Sequence, residues 1–206
     1  FNLDLLAGAG DVDTTDVLSI EGLTLTGGDD AGITVNGNAL TINPSAYNSL
    51  AFGESAVITY TYNVIDGNGG TVAQSATITI NGVNDIPTVS ATVDSTVTED
   101  DVSYDLNLLT GAGDVDTSDT LSIEGLTLTG GDAVGITVNG NTLTIDPSAY
   151  NSLADGESAV ITYTYNIIDG NGGTIAQSAT ITTTGVNDAP TVSDSVSVST
   201  SEDDIS

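Results

Sequence analysis

The second half of this chain repeats the first at a constant spacing. Phe1-Asn-Leu-Asp-Leu-Leu aligns with Tyr104-Asp-Leu-Asn-Leu-Leu, and Val83-Asn84-Asp85 with Val186-Asn187-Asp188, each pair 103 positions apart with no gap between. Repeats of roughly 20–50 residues stack into solenoids because one unit cannot bury its own apolar face. A unit of 103 residues can hold a separate core. The expected architecture is a string of like domains, and the fold must be one whose two ends accept each other.

Asn-Asp-x-Pro, at Asn84–Pro87 and Asn187–Pro190, reads as the linker, since proline cannot continue a ladder and restricts the residue before it. Cutting there divides the chain into three parts. Residues 1–85 are a repeat lacking its first strand, 86–188 a complete repeat, and 189–206 the first strand of a following repeat. With no initiator Met, the chain is read as a stretch of a longer protein. Residues 189–206 are then expected to complete the sheet of a copy of 1–85 in a head-to-tail rod.

Within the complete copy, Val89, Ala91, Val93 and Val97 share one parity and predict a first strand, followed by the acidic turn Glu99-Asp100-Asp101. Tyr104, Leu106 and Leu108 predict a second strand. Leu121 and Ile123 share a parity that Leu126 and Leu128 do not, so a β-bulge is expected at Glu124-Gly125. Val138-Asn-Gly-Asn141 signals a tight hairpin. After a polar stretch with a possible helical turn, Pro147–Glu157, residues Ile161, Tyr163, Tyr165 and Ile167 alternate with polar ones, and Ile175, Ala179 and Ile181 end the repeat. About seven short strands in a hundred residues predict an all-β immunoglobulin-like Greek-key sandwich. That topology puts Asp114, Asp116, Asp119 and Asp169 at the N-terminal pole and Glu99, Asp100 and Glu157 at the opposite one.

Charge narrows the chemistry. The chain carries 29 acids and no Lys, Arg, His or Cys, a formal charge of −29. The strong counter-charge must come from solution. Without thiolate or imidazole, the ligand set is oxygen alone, which suits a hard cation such as calcium. Apolar residues make up 38% of the chain, too many for a disordered acidic tail. Asp-x-Asp-x-x-Asp occurs at Asp11, Asp13, Asp16 and at Asp114, Asp116, Asp119, and Asp66 and Asp169 each open an Asp-Gly-Asn-Gly-Gly turn. Solvated turns are the alternative reading, but calcium binding is favoured. The motif is not an EF-hand, because Gly22 or Gly125 stands where the twelfth-position Glu would be.

Tyr150-Asn-Ser-Leu-Ala-Asp-Gly-Glu-Ser-Ala-Val-Ile-Thr-Tyr-Thr-Tyr, Asp169-Gly-Asn-Gly-Gly and Val186-Asn-Asp-Ala-Pro together resemble the VCBS-type, cadherin-like tandem repeats of bacterial RTX adhesins. The resemblance covers essentially the whole chain. It implies an extender domain of a large, type I-secreted surface protein, with calcium at each domain junction. By that resemblance Glu99 and Asp100 match the acids near the first strand, and Glu54 and Glu157 the acid before the penultimate strand. Asn84-Asp85 and Asn187-Asp188 match the linker, and Asp11 and Asp13, with Asp114 and Asp116, the Asp-x-Asp of the following domain. Glu202 and Asp203 are expected to meet Glu54, Asn84 and Asp85 of a next unit. Phe52 stands where the second copy has Asp155.

Function follows from these restrictions. General-base His, nucleophilic Cys and catalytic Lys are absent, so an enzyme is not expected. Nucleic acid is repelled, and no apolar run is long enough to insert in a membrane. Near-identical copies suit a part whose task is length. The leading expectation is a calcium-rigidified extender whose partners are neighbouring repeats, end to end, holding a distal ligand-binding domain off a bacterial surface. The alternative is a calcium-dependent glycan-binding or homophilic adhesion module.

Overall fold

The structure is a computed structural model and describes residues 1–203. Its strands are β1 (Asn2–Asp4), β2 (Ser19–Gly27), β3 (Ile33–Asn36), β4 (Ala39–Ile42), β5 (Ser55–Ile65), β6 (Thr71–Asn81), β7 (Thr88–Val89), β8 (Val93–Thr98), β9 (Tyr104–Asn107), β10 (Ala112–Gly113), β11 (Ser122–Gly130), β12 (Ile136–Asn139), β13 (Thr142–Ile145), β14 (Ser158–Ile168) and β15 (Thr174–Thr184). The first repeat forms two three-stranded sheets, ordered β1-β4-β3 and β2-β5-β6. The second repeats that plan as β9-β13-β12 and β11-β14-β15-β8, and β7 and β10 form a separate two-stranded sheet. Two compact units result. One holds Phe1–Val93, Leu108–Thr127 and Thr164–Ser178; the other holds Asp94–Asn107, Leu128–Tyr163 and the chain from Ala179. The first unit thus combines the first repeat with the acidic loops of the second.

Alternation builds the core. Along β5 the inward residues Ile58, Tyr60 and Tyr62 meet Ala76 and Ile78 of β6 and Leu40 of β4, with Leu5 and Tyr47 closing the cluster. Complete burial of one such aliphatic side chain contributes about 1.5–3 kcal/mol. The bulge is present: β2 slips register against β5 between Glu21 and Thr24, and Gly22 there has φ +70°, a left-handed conformation costly for any residue with a Cβ. The hairpin also matches, with Asn139 paired to Thr142 and Gly140 at φ +58° in the two-residue turn. A 3-10 turn at Pro147–Tyr150 fills the polar stretch.

One expectation needed revision. The single first strand through Val89 and Val97 is two strands, broken by a bend at Ala91. The break has a cause: the Ser90 amide and hydroxyl both donate to the Gly111 carbonyl, and Gln177 Nε2 donates to the Ala91 carbonyl. The last strand reaches Thr184, next to the linker as expected, and Thr183 is fully buried in the inward phase that Ala179 and Ile181 set.

The core tyrosines carry a test. Burial, with the Asp30 carboxylate that accepts from its hydroxyl, pushes Tyr60 up to about 12; burial alone pushes Tyr165 up to about 12. With no Lys, Arg, His or Cys, tyrosine is the one side chain left to ionise above neutrality. A raised folded pKa means stability is complete below the unfolded value, about 10, and falls as pH rises towards 12. Ultraviolet titration of phenolate should show unfolding and ionisation together in that window. Free titration of all the tyrosines near pH 10 in folded protein would contradict the core described here.

Candidate metal centre

Six of the expected site residues converge in the first unit. Asn84 and Asp85 leave β6 and lie against the loop after β10 and the turn between β14 and β15. The Asn84 side-chain amide donates to Asp169 Oδ2 at 2.9 Å, and the Asp85 amide donates to Asp116 Oδ2 at 2.8 Å. Asn171 Nδ2 donates to Asp119 Oδ1 at 2.8 Å, tying the two loops together. Carboxylate oxygens of Asp114, Asp119 and Asp169 lie within 4.8 Å of one another.

Local sequence explains how each acid is held. The Asp116 amide donates back to Asp114 Oδ1 at 3.0 Å, closing an Asx turn. Asp169 Oδ1 accepts from the amides of Asn171, Gly172 and Gly173. Burial pushes this carboxyl upward, but the Asn84 amide and the three backbone N–H groups outweigh it and hold it below the usual range. Gly173 is there for space: a Cβ would strike the Asp169 carboxylate and come within 3.0 Å of Ile86 Cα.

The decisive feature is what these oxygens lack. Asn84 Oδ1, Asp114 Oδ2, Asp116 Oδ1 and Asp119 Oδ2 are buried acceptors without a hydrogen-bond donor, four of the six such atoms among the described residues. A buried acceptor left unpaired costs about 1–3 kcal/mol, more for a charged group. Asp116 is 1% exposed and Asp169 3% exposed. No basic side chain exists to meet them. A hard cation with several oxygen ligands fits this donor set, and a zinc- or copper-type ion does not.

The same motif in the first repeat is differently placed. Asp11, Asp16 and Asp66 also bring carboxylate oxygens within 4.8 Å, yet Asp11 and Asp13 are exposed and Asp16 and Asp66 half-buried. Asp13 donates its amide to Asp11 Oδ1, and the Asn68 amide is the main influence holding the Asp66 carboxyl below its usual range. Glu54 is exposed, with Oε2 turned to the Ala51 amide of its own loop.

In the second unit, Glu99 is 1% exposed; Oε1 accepts from the Val186 amide at 2.8 Å and Oε2 is a further buried acceptor without a donor. Glu157 caps its own loop at Ala154, and its carbonyl accepts from Gly185. Asp100, Asn187 and Asp188 are exposed, and so are Glu202 and Asp203. Two contributors escaped the sequence reading. Asn171 positions Asp119, and Asn48 Nδ2 donates to Asp85 Oδ2 at 3.1 Å. The Asp-Gly-Asn-Gly-Gly run contained a signal for Asn171; nothing local marked Asn48.

A pair of all-β sandwich repeats, with acids converging where a linker meets the following loops, defines a class of tandem sandwich-repeat module. The family model described as cadherin-like domain matches twice, over residues 2–81 and 83–184, and the chain belongs to that family. No curated protein sequence matches it. Among solved structures, extracellular domains 1–2 of human mucin-like protocadherin are similar at 18% identity and a TM-score of 0.46, over 82% of this chain and 84% of that one. Domains 1–3 of a mouse clustered protocadherin are similar at 15% identity and TM-score 0.44, over 89% of this chain and 60% of theirs. Domains 1–4 of Drosophila N-cadherin are similar at 11% identity and TM-score 0.35, over 86% of this chain and 43% of theirs. Nothing in the site points to catalysis.

Proposed function

We propose that this chain is a calcium-rigidified spacer of a large bacterial surface adhesin of the VCBS, RTX type, exported by type I secretion and serving attachment or biofilm formation. One observation carries the calcium: a buried group of unpaired acceptors in a chain with no cationic side chain. Asn84, Asp85, Asp114, Asp116, Asp119 and Asp169 would hold the ion at the joint between residues 1–85 and 86–188. Asp11, Asp13, Asp16 and Asp66 would serve the joint before it, and Glu99, Asp100, Glu157, Asn187 and Asp188 the joint after it, with Glu54 on the near side of the first. Calcium there converts mutual repulsion into a shared ligand shell, so stiffness is what it supplies. The spacer role rests on repetition with little change, which suits reach better than recognition.

Small-angle scattering tests this directly. In calcium the maximum dimension of the chain should be that of two domains end to end, and EGTA should shorten and broaden the distribution as the joint loosens. Calorimetric titration should show several calcium ions per chain. Identical scattering profiles with and without calcium would remove rigidification as the function.

A further inference from the structure

The joint around Asp85 and Asp116 has a second half, built from neutral groups. Asn48 and Ser49 follow a 3-10 turn, Pro44–Tyr47, and stand on a rigid base. Tyr47 is buried, and its hydroxyl donates to the Asp29 carbonyl at 2.7 Å. The Leu50 amide donates to the Tyr47 carbonyl at 3.1 Å. Ala51, 2% exposed, is closed onto Glu54 from both directions: its amide donates to Glu54 Oε2, and its carbonyl accepts from the Glu54 amide, each at 3.0 Å. Gly82 packs against the same base, where a Cβ would strike the Leu50 and Ala51 carbonyls.

Two contacts leave this base. The Ser49 carbonyl accepts from both the amide and the hydroxyl of Thr117, each at 3.3 Å. Asn48 Nδ2 donates to Asp85 Oδ2 at 3.1 Å. Thr117 lies inside the acidic loop, between Asp116 and Asp119, and the Asp119 amide donates to the Asp116 carbonyl at 3.1 Å. A hold on Thr117 is therefore a hold on both acids. Asp85 completes the circuit, since its own amide donates to Asp116 Oδ2. The linker and the acidic loop are thus gripped from one base, through an amide and a carbonyl that carry no charge.

We infer that Asn48 and Thr117 are positioning residues of this joint, a neutral clasp that holds the linker and the acidic loop at binding distance before an ion arrives. The reason lies in when the repulsion is met. If the carboxylates were free to separate, an incoming cation would have to gather and order them as it bound. With the clasp, folding has already gathered them, and the cation meets a formed site. The ion is taken from the preceding reading; the clasp itself needs none.

Calorimetric calcium titration and small-angle scattering of the full chain test it, with Asn48→Ala, Thr117→Val, the double variant and Thr117→Ser. Both side chains are exposed, so the near-ultraviolet circular dichroism of the buried tyrosines should match the parent in every variant. Each single loss should weaken calcium binding about two- to tenfold, the span of one modest hydrogen bond, with the number of ions bound unchanged. Thr117→Ser keeps both donors and should bind as the parent does. In EGTA the double variant should give a broader distance distribution than the parent. Fewer ions bound by a variant would make these residues ligands and overturn the positioning role. Parent-like affinity and scattering in the double variant would overturn the clasp. If the parent binds no calcium, the ion reading fails by itself and scattering in EGTA decides the clasp: a broader distribution in the double variant sustains it, and an identical one overturns it.

Discussion

Chelating calcium with EGTA is expected to lower the melting temperature by roughly 10–20 °C for each site emptied, when calcium is about a hundredfold above its Kd. The size follows from linkage. An ion that binds only the folded chain contributes about 2.7 kcal/mol per site at that excess, and about 1 kcal/mol moves the midpoint of a hundred-residue domain by about 4–8 °C. The opposing term is equally clear. Asp114, Asp119 and Asp169 place carboxylate oxygens within 4.8 Å. At an effective dielectric of about 20, two unit charges at such a separation repel by about 3.5 kcal/mol. Sodium chloride at matched ionic strength should not restore the loss, because buried groups are screened far less than surface ones. Magnesium should restore little, since it demands near-octahedral geometry and sheds water reluctantly, whereas calcium accepts six to eight irregular oxygen ligands. A melting curve indifferent to EGTA, or one rescued fully by sodium, would show that the acids are surface charge and nothing more.

Much of the fold was legible because its signals are local. Parity along Ile161, Tyr163, Tyr165 and Ile167 fixes which face is buried, and the parity switch beside Gly22 and Gly125 locates the bulge without any knowledge of the partner strand. The division of the first strand was not legible, because Ser90 and Ala91 are bent by Gly111 and Gln177, which stand 21 and 86 positions from them in sequence. The site divides in the same manner. Asp-x-Asp-x-x-Asp and the linker announce their oxygens, but the sequence does not distinguish Asp13 from Asp116. Burial does, and burial depends on whether a linker lies across the loop. Asn48 was invisible for a related reason: an amide reaching Asp85 across 37 positions leaves no spacing signature.

That contrast supplies the second large effect. Asp13→Asn and Asp116→Asn are one chemical change at one repeat position, made where the loop is open and where it is covered. Asn keeps an oxygen for the Asp85 amide, so the 2.8 Å hydrogen bond has an acceptor in either form, and only the charge is lost. In EGTA, Asp116→Asn should therefore raise stability, because it removes a buried carboxylate whose charge nothing offsets. In calcium the sign should reverse. Losing an anionic ligand weakens binding by an expected tenfold to hundredfold, and stability falls by about 1.4–2.8 kcal/mol at fixed, saturating calcium. Asp13→Asn, at an exposed position, should shift stability by less than about 0.5 kcal/mol in either buffer. The measurement is urea or thermal unfolding of both variants and the parent, each with calcium and with EGTA. A crossing of signs at position 116 alone identifies a metal ligand made by the covering linker. Equal shifts at the two positions, or an Asp116→Asn effect of one sign in both buffers, would mean that this carboxylate serves the joint as a hydrogen-bond acceptor and not as a ligand.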